Sequence, residues 1–502
     1  MKDFPEHDEV HVISDIHMGG KPGFQILRET KRLANYIGWV AGQRPGGRVA
    51  LVLNGDIFDT LAEDIHGYVA VDEAVATLQR IMGDLSFSGV WKALADFVKL
   101  AGRTLVIVIG NHDIEISFPT VQRLIVSQLA GDDLKARARI EFSTTGAGYT
   151  CTVGNKRIYC THGNEVDAWN YNRYEDLAKI GRRLNAGRSL DPSEWYPNAG
   201  TRMVKEVMNE IKRKFAWIDL LQPETAAAIG TLAVLDPSQI NKITKLISIV
   251  GEKVQGQKQV DQRLSAEGYQ QPEQTADVPL TVDHLLGPNL KAGVLGDGSA
   301  GGRRADDMLL AAEENFKGTD VYGAKADSTL GTPQLIWDGL TGWITGVGKD
   351  EALRRAMLDW LAKDKTFDSK YEDDTFKQVT AAVGPSIDFI VTGHTHLERA
   401  IDMKGGRFYF NCGTWIRLLR FTQEMLKDTA SFKPVYEVLS NGTMAAIDNA
   451  KFGDKAFVMD QTSAVSIKEE DGKVVGRLTH VVGDGSGEFV EIKKFPEAGH
   501  GN

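Results

Sequence analysis

The sequence predicts an α/β protein whose core is a two-sheet β-sandwich flanked by helices, with a large, mainly helical insertion and a C-terminal β extension. Three observations predict this. Short runs rich in Val, Ile and Leu, suited to strands buried on both faces, recur near residues 10–14, 49–54, 104–109 and 387–391, with a shorter, more alternating run at 156–160. Segments with apolar residues at helical spacing separate them. Each run stops at polar punctuation of one kind: Asp15-Ile16-His17, Gly55-Asp56-Ile57-Phe58-Asp59, Gly110-Asn111-His112-Asp113, His162-Gly163 and Gly393-His394-Thr395-His396.

Taken in order, the first strand (10–14) leads into a Gly-rich loop. Residues 24–43 carry Leu27, Leu33, Ile37 and Val40 at helical spacing and should return the chain to a parallel strand opening near Val49, a βαβ crossover. Residues 60–102 are a longer excursion with helical patterns at 71–82 and 91–101; His66 within it is expected to have no catalytic role. The strand at 104–109 follows. Ser117 has the position of an N-cap, with Pro119 in the first turn of a helix reaching about residue 129. Residues 139–143, 149–153 and 156–160 are shorter, more alternating runs, the last two joined by Gly154-Asn155, and are expected to form the second sheet. Beyond it, helix-like segments lie at 174–184, 201–217, 237–254, 306–316, 350–364 and 371–383, around a Gln-, Gly- and Ser-rich stretch at 251–302 expected to be mobile. Residues 434–439 and 444–448, joined by Asn441-Gly442, have the pattern of a β-hairpin. Runs at 456–459, 464–468, 474–482 and 488–492 should add strands, extending the second sheet or forming a small β-domain.

Carboxylates at the C-terminal ends of strands stand where α/β sheets bind ligands. A single Asp there also serves as a turn former or helix cap. Five of the eleven histidines fall at these strand ends, which scattered structural histidines would not do. Without a cation or partners, so many buried imidazoles and carboxylates would cost several kcal/mol each, on the order of the penalty for an unpaired charge.

Read together, the five blocks resemble the calcineurin-like metallophosphoesterases. Gly393-His394-Thr395-His396 followed by Asn411-Cys412-Gly413-Thr414-Trp415 is similar to the bacterial branch that includes UDP-2,3-diacylglucosamine hydrolase. That hydrolase usually carries Arg where this chain has His112, so its lipid substrate is not implied. The resemblance implies two divalent metal ions, Mn²⁺ first, with Fe or Zn²⁺ as alternatives, because a His, Asp and Asn set without thiolate does not select among them. By the family pattern Asp56 bridges the ions, Asp15, His17 and His396 complete the first position, and Asn111, His162 and His394 complete the second. A metal-bridging hydroxide would attack phosphorus while His112, held by Asp59, protonates the leaving group. The implied domains are a catalytic core at 8–165 and 386–420, a helical cap at 166–385 and a β-rich extension at 421–502.

Composition limits the rest. With 502 residues, 42% hydrophobic and 25% charged, the chain can bury a large core. A net charge of −10 offers no general attraction to nucleic acid. Three cysteines give no disulfide framework and point to a reducing, cytoplasmic setting. No secretory h-region and no apolar run of membrane-spanning length is expected. The substrate is expected to be a phosphate ester, a small molecule or a lipid-linked nucleotide rather than nucleic acid, cleaved at a diester or pyrophosphate bond. A monoesterase or nuclease of the same superfamily and a non-catalytic scaffold that retains the metal site are the alternatives. Gly-Asn-His-Asp rather than Gly-Asn-His-Glu points away from Ser/Thr protein phosphatases. Trp169, Tyr171 and Arg173 are the candidate substrate contacts, and both monomer and homo-oligomer are compatible with the sequence.

Overall fold

The structure, a computed structural model, describes residues 4–167, 169–189, 195–221, 234–236, 346–361 and 367–497. The expected mobile stretch at 251–302 and the helix-like segments at 237–254 and 306–316 lie outside the described residues. The strands in chain order are β1 (Glu6–His7), β2 (Glu9–Ile13), β3 (Val49–Asn54), β4 (Arg103–Val108), β5 (Ile140–Ser143), β6 (Tyr149–Val153), β7 (Lys156–Cys160), β8 (Phe389–Thr392), β9 (Glu398–Asp402), β10 (Phe408–Cys412) and β11 (Arg417–Leu419). They continue with β12 (Lys451–Phe452), β13 (Lys455–Ala456), β14 (Val458–Asp460), β15 (Ser463–Glu470), β16 (Lys473–Val481) and β17 (Phe489–Phe495).

Two large sheets form. The first has seven strands in the order β17-β16-β15-β2-β3-β4-β5. β2 through β5 run parallel, with Val12 opposite Val52 and Val52 opposite Val106. Helix Thr30–Gly42 makes the crossover from β2 to β3, and helices Ala74–Gly83 and Ser88–Lys99 make that from β3 to β4. The second sheet has six strands in the order β1-β6-β7-β8-β10-β9. Side chains alternate between layers as the strand period of two requires. Val10, Val12, Ala50, Val52 and Val106 meet Cys151, Ile158, Phe389, Val391 and Phe410 of the second sheet. Ile13, Leu51, Leu53 and Leu105 meet Leu33, Ile37, Leu78, Leu94 and Ile125 on the helices.

The second sheet carries the step that matters for the site. β8, more than two hundred residues after β7, pairs with it in parallel, Cys160 opposite Val391, and so lands the 393–396 block beside His162. Residues 199–221 and 346–361 build a further core in which Met203, Val207, Trp217, Leu353 and Met357 pack with Leu418, Phe432, Val435 and Leu439 from beyond the catalytic blocks. Among the described residues no helix is long and apolar enough to cross a membrane.

Four local expectations are corrected. The expected hairpin at 434–448 is two helices, Thr429–Asn441 and Met444–Asn449. Asp428 caps the first by accepting from Ser431 N at 2.8 Å, and Phe432, Val435 and Leu439 form its buried stripe. Asn441-Gly442 ends that helix, Gly442 having φ 76°; a hairpin turn and a helix C-terminus both require positive φ, so the dipeptide does not choose between them. β5 joins the first sheet beside β4, not the second. β15 to β17 also extend the first sheet, through antiparallel pairing of β15 with β2, rather than the second sheet or a separate β-domain. Ser117 does not cap the helix Pro119–Ala130: its hydroxyl donates to Ile114 O at 2.7 Å, and Phe118 occupies the cap position.

Candidate metal centre

Parallel β2, β3 and β4 place their C-terminal ends side by side, and β7 and β8 do the same across the sandwich. Each chain then turns within one or two residues to present a ligand-type side chain inward. The turns are tight enough that Asp15, His17, Asp56, His394 and His396 all have positive φ, 51° to 72°; they are five of the nine such non-glycine residues described. This sparsely populated conformation is costly and is held only where its surroundings enforce it. Backbone bonds enforce it here. Asp15 N donates to Gly55 O (3.1 Å) and His17 N to Asp56 O (2.9 Å). Asp15 Oδ2 accepts from His394 N (2.9 Å), and Asp56 Oδ1 from His112 N (2.8 Å).

Among the described residues the side chains form three adjoining groups, Asp15 with His17 and His396, Asp56 with His162 and His394, and His17 with Asp59 and His112, the donor atoms of each group lying within 4.8 Å of one another; the first two are the ones the resemblance assigns to metal. His17 Nε2 is 3.0 Å from His396 Nε2, and His396 Nε2 is 3.3 Å from Asp15 Oδ1. Asp56 Oδ2 stands 3.2 Å from His162 Nε2 and 3.8 Å from His17 Nε2, so this one carboxylate reaches both groups. His162 Nδ1 donates to Asn54 O at 2.8 Å, which turns Nε2 toward Asp56.

Cations fit this arrangement on the structure's own terms. His17 Nδ1, Asn111 Oδ1 and His394 Nδ1 are buried without a hydrogen-bond partner. Native folds leave few buried polar atoms unpaired, each costing about 1–3 kcal/mol, and three on neighbouring ligand-type side chains call for a bound group. The electrostatics agree. Burial lowers the proton affinity of His162, yet Asp56 outweighs it and lifts the pKa to about 10. Burial favours the neutral form of Asp56, but His162 and His112 hold its carboxyl well below the usual range. Burial and the neighbouring His112 push His17 down to about 3. Burial and the Asp56 carboxylate raise Asp113 to about 7.

Beside these groups His112 Nδ1 donates to Asp59 Oδ1 at 3.1 Å. His112 is one-fifth exposed, so its ring is open to a ligand while Asp59 is buried behind it. Burial disfavours the imidazolium, but Asp56 and Asp59 together raise its pKa to about 9. Against the opposing effect of burial, His112, assisted by Lys212, keeps the Asp59 carboxyl well below its ordinary value.

Several residues that hold the site carried no sequence signal as site residues. Asp113 accepts from Ile57 N and Gly110 N, both at 2.7 Å, tying the second and third loops together. Asp167 Oδ2 accepts from His394 Nε2 at 2.7 Å. Asn172 Nδ2 donates to Gly110 O at 2.8 Å, and Asn411 Nδ2 donates to Gly393 O at 2.7 Å. Asp113 and Asn411 lie inside segments quoted above for the resemblance; Asp167 and Asn172 act on residues distant from them in sequence. The expected substrate contacts are spread out. Arg173 pairs with Asp176 at 2.7 Å and lies over the Tyr196 ring. Trp169 packs on the core of residues 199–221, and its N donates to Asp167 Oδ1 at 2.8 Å. Tyr171 is buried and, with Tyr159, Glu165, Tyr174 and Ile387, lines a cleft of about 680 Å³ whose walls include none of the expected metal ligands. His66 is at the surface, paired with Glu73.

No curated protein matches the chain. Residues 9–221, which hold the first four blocks, match the family model described as calcineurin-like phosphoesterase. That family consists of metal-dependent hydrolases acting on phosphate esters, and the two-sheet fold with its converging Asp and His side chains agrees with it. The chain is therefore a metal-dependent phosphoesterase, with residues 9–221 similar to the calcineurin-like phosphoesterases.

Proposed function

We propose that the chain is a dinuclear metal-dependent phosphodiesterase or pyrophosphatase. The observation that carries this is the pair of adjoining ligand groups sharing Asp56, with the Asp59–His112 pair open beside them. Asp15, His17 and His396 would hold one ion, Asn111, His162 and His394 the other, and Asp56 both. Two such cations, Mn²⁺ before Fe or Zn²⁺, supply charge neutralisation at the phosphoryl oxygens and a hydroxide nucleophile at neutral pH.

The remaining steps belong to the protein. His112 would act as the imidazolium, the form that its bond to Asp59 favours. With Nδ1 bonded to Asp59, it presents Nε2–H to the leaving oxygen and gives up that proton as the ester bond breaks. Asp59 fixes the ring orientation and favours the charged form before transfer.

A diester or pyrophosphate bond is favoured by the closing segment, which resembles the diacylglucosamine hydrolase branch. Asn411 holds Gly393 O, while Thr414 Oγ1 donates to Asp15 O at 2.9 Å. The substrate we favour is a small-molecule phosphate ester or a lipid-linked nucleotide, with residues 166–385 as a cap over the core. A cytoplasmic location is supported by Cys151, Cys160 and Cys412 all being buried and free.

The test compares an activated phosphodiester with its monoester in Mn²⁺. We expect faster diester cleavage, lowered roughly 10²–10⁴-fold in His112→Ala with metal content unchanged, and loss of both metal and activity in Asp56→Asn. Cleavage of the monoester alone would make the protein a phosphatase. Full activity in chelator-stripped protein would overturn the proposal.

A further inference from the structure

We propose that Asp167 is a positioning residue through which residues 199–221 set the affinity of one of the two metal positions, the one built from Asp56, Asn111, His162 and His394. This rests on the two-cation reading above.

His394 Nε2 donates to Asp167 Oδ2 at 2.7 Å, and His394 Nδ1 is buried with no hydrogen-bond partner. A histidine with its proton committed on one nitrogen offers a lone pair on the other, so the carboxylate selects the ligating tautomer and fixes the ring plane. Asp167 is itself held in a bracket. Its Oδ1 accepts from Trp169 N at 2.8 Å and its Oδ2 from Asn170 Nδ2 at 2.7 Å. The bracket is closed from outside the catalytic blocks. Gly200, in the short helix Ala199–Met203, donates its N–H to Trp169 O at 2.8 Å. A Cβ at Gly200 would stand 1.9 Å from Asn170 Oδ1, so any side chain there must displace the Asn170 amide that bonds Asp167. Trp169 packs against the core that contains Met203, Val207 and Trp217. A continuous chain of contacts therefore runs from that core through Gly200, Trp169 and Asn170 to Asp167 and then to His394. At the other metal position, Asp15 N and His17 N donate to Gly55 O and Asp56 O of the core loops, and the bond from His394 to Asp15 Oδ2 comes from the His394 backbone N–H, not from the ring that Asp167 holds. Loosening the bracket should therefore weaken one metal position and spare the other.

The test is calorimetric titration of chelator-stripped protein with Mn²⁺, comparing wild type with Asp167→Ala, Asp167→Asn and Gly200→Ala, each checked for native circular dichroism. Wild type should bind two ions. Asp167→Ala should weaken one of them roughly 10- to 100-fold and leave the other unchanged. Asp167→Asn retains an acceptor for His394 Nε2–H and should weaken the same ion less. Gly200→Ala, which alters no ligand, should weaken that ion in the same direction. Two unchanged sites in Asp167→Asn and Gly200→Ala would overturn the inference even if Asp167→Ala failed to fold. Equal weakening of both sites would overturn it too. Fewer than two ions on wild type would overturn the two-cation reading and the inference with it.

Discussion

Gly110 shows how closely single residues are fitted around the site: a Cβ there would lie 2.1 Å from Asp56 Oδ1. Gly55, with φ 89°, leaves equally little room, since its Cβ would lie 2.3 Å from His162 Nδ1. These glycines and the ligand-type Asp and His side chains were legible in the sequence because donor chemistry prescribes their types and the strand ends prescribe their places. Asp167 and Asn172 were not, because an acid or amide acquires such a role only from whatever faces it. The charges make a pH prediction for metal-free protein. His112 is raised from 6.5 to about 9 and His162 from 6.5 to about 10 by the carboxylates that outweigh burial. Each contributes its full stabilisation below pH 6.5, and that contribution is lost as pH rises through 9 to 10. Thermal scans of chelator-stripped protein should show Tm falling across this window, and less steeply in His112→Ala. A Tm that rose over the same range would contradict the charge arrangement.

At the scale of elements, periodicity was a good guide where a segment had one clear partner layer. β2, β3 and β4 were legible as buried runs because both of their faces are covered, one by helices and one by the second sheet. Residues 429–449 were misleading. Asn441-Gly442 satisfies the requirement of either a hairpin or a helix end, and the buried stripe Phe432, Val435 and Leu439 decides for helix only once its partner core exists. Gly442 also fastens that helix to residues 214–216: its O accepts from Ala216 N at 2.8 Å, and a Cβ would meet Lys214 O at 2.1 Å. Gly442→Ala should therefore cost roughly 2–4 kcal/mol from positive φ and overpacking combined, measured as a lower urea midpoint. An unchanged midpoint would mean that this junction contributes little.

Across the whole molecule, the first sheet is completed by the end of the chain. β15 pairs with β2, Val465 opposite Val12, and Val465, Ile467 and Leu478 are fully buried between the sheets with Phe495 beside them. At about 1.5–3 kcal/mol for each buried side chain, losing these four would remove roughly 6–12 kcal/mol, comparable with the total stability of a typical domain. Truncation after Gln461 should therefore abolish folding, leaving insoluble protein or a chain without a cooperative thermal transition. A soluble truncated form with a sharp transition would show instead that the C-terminal strands are an appendage.

The sequence by itself determined the identity of the ligand-type side chains, their delivery at strand ends and the α/β class. These follow from local rules: the strand period, the glycine turn and the donor chemistry a cation requires. Only the tertiary structure decided that β5 and β15 to β17 belong to the first sheet, that residues 199–221 share a core with helix Thr429–Asn441, and that Asp167 meets His394. These are pairings between segments far apart in the chain. Alternation tells a strand which face to bury but not which edge to join, and the edge is settled by the competition of all available partners for the same buried surface.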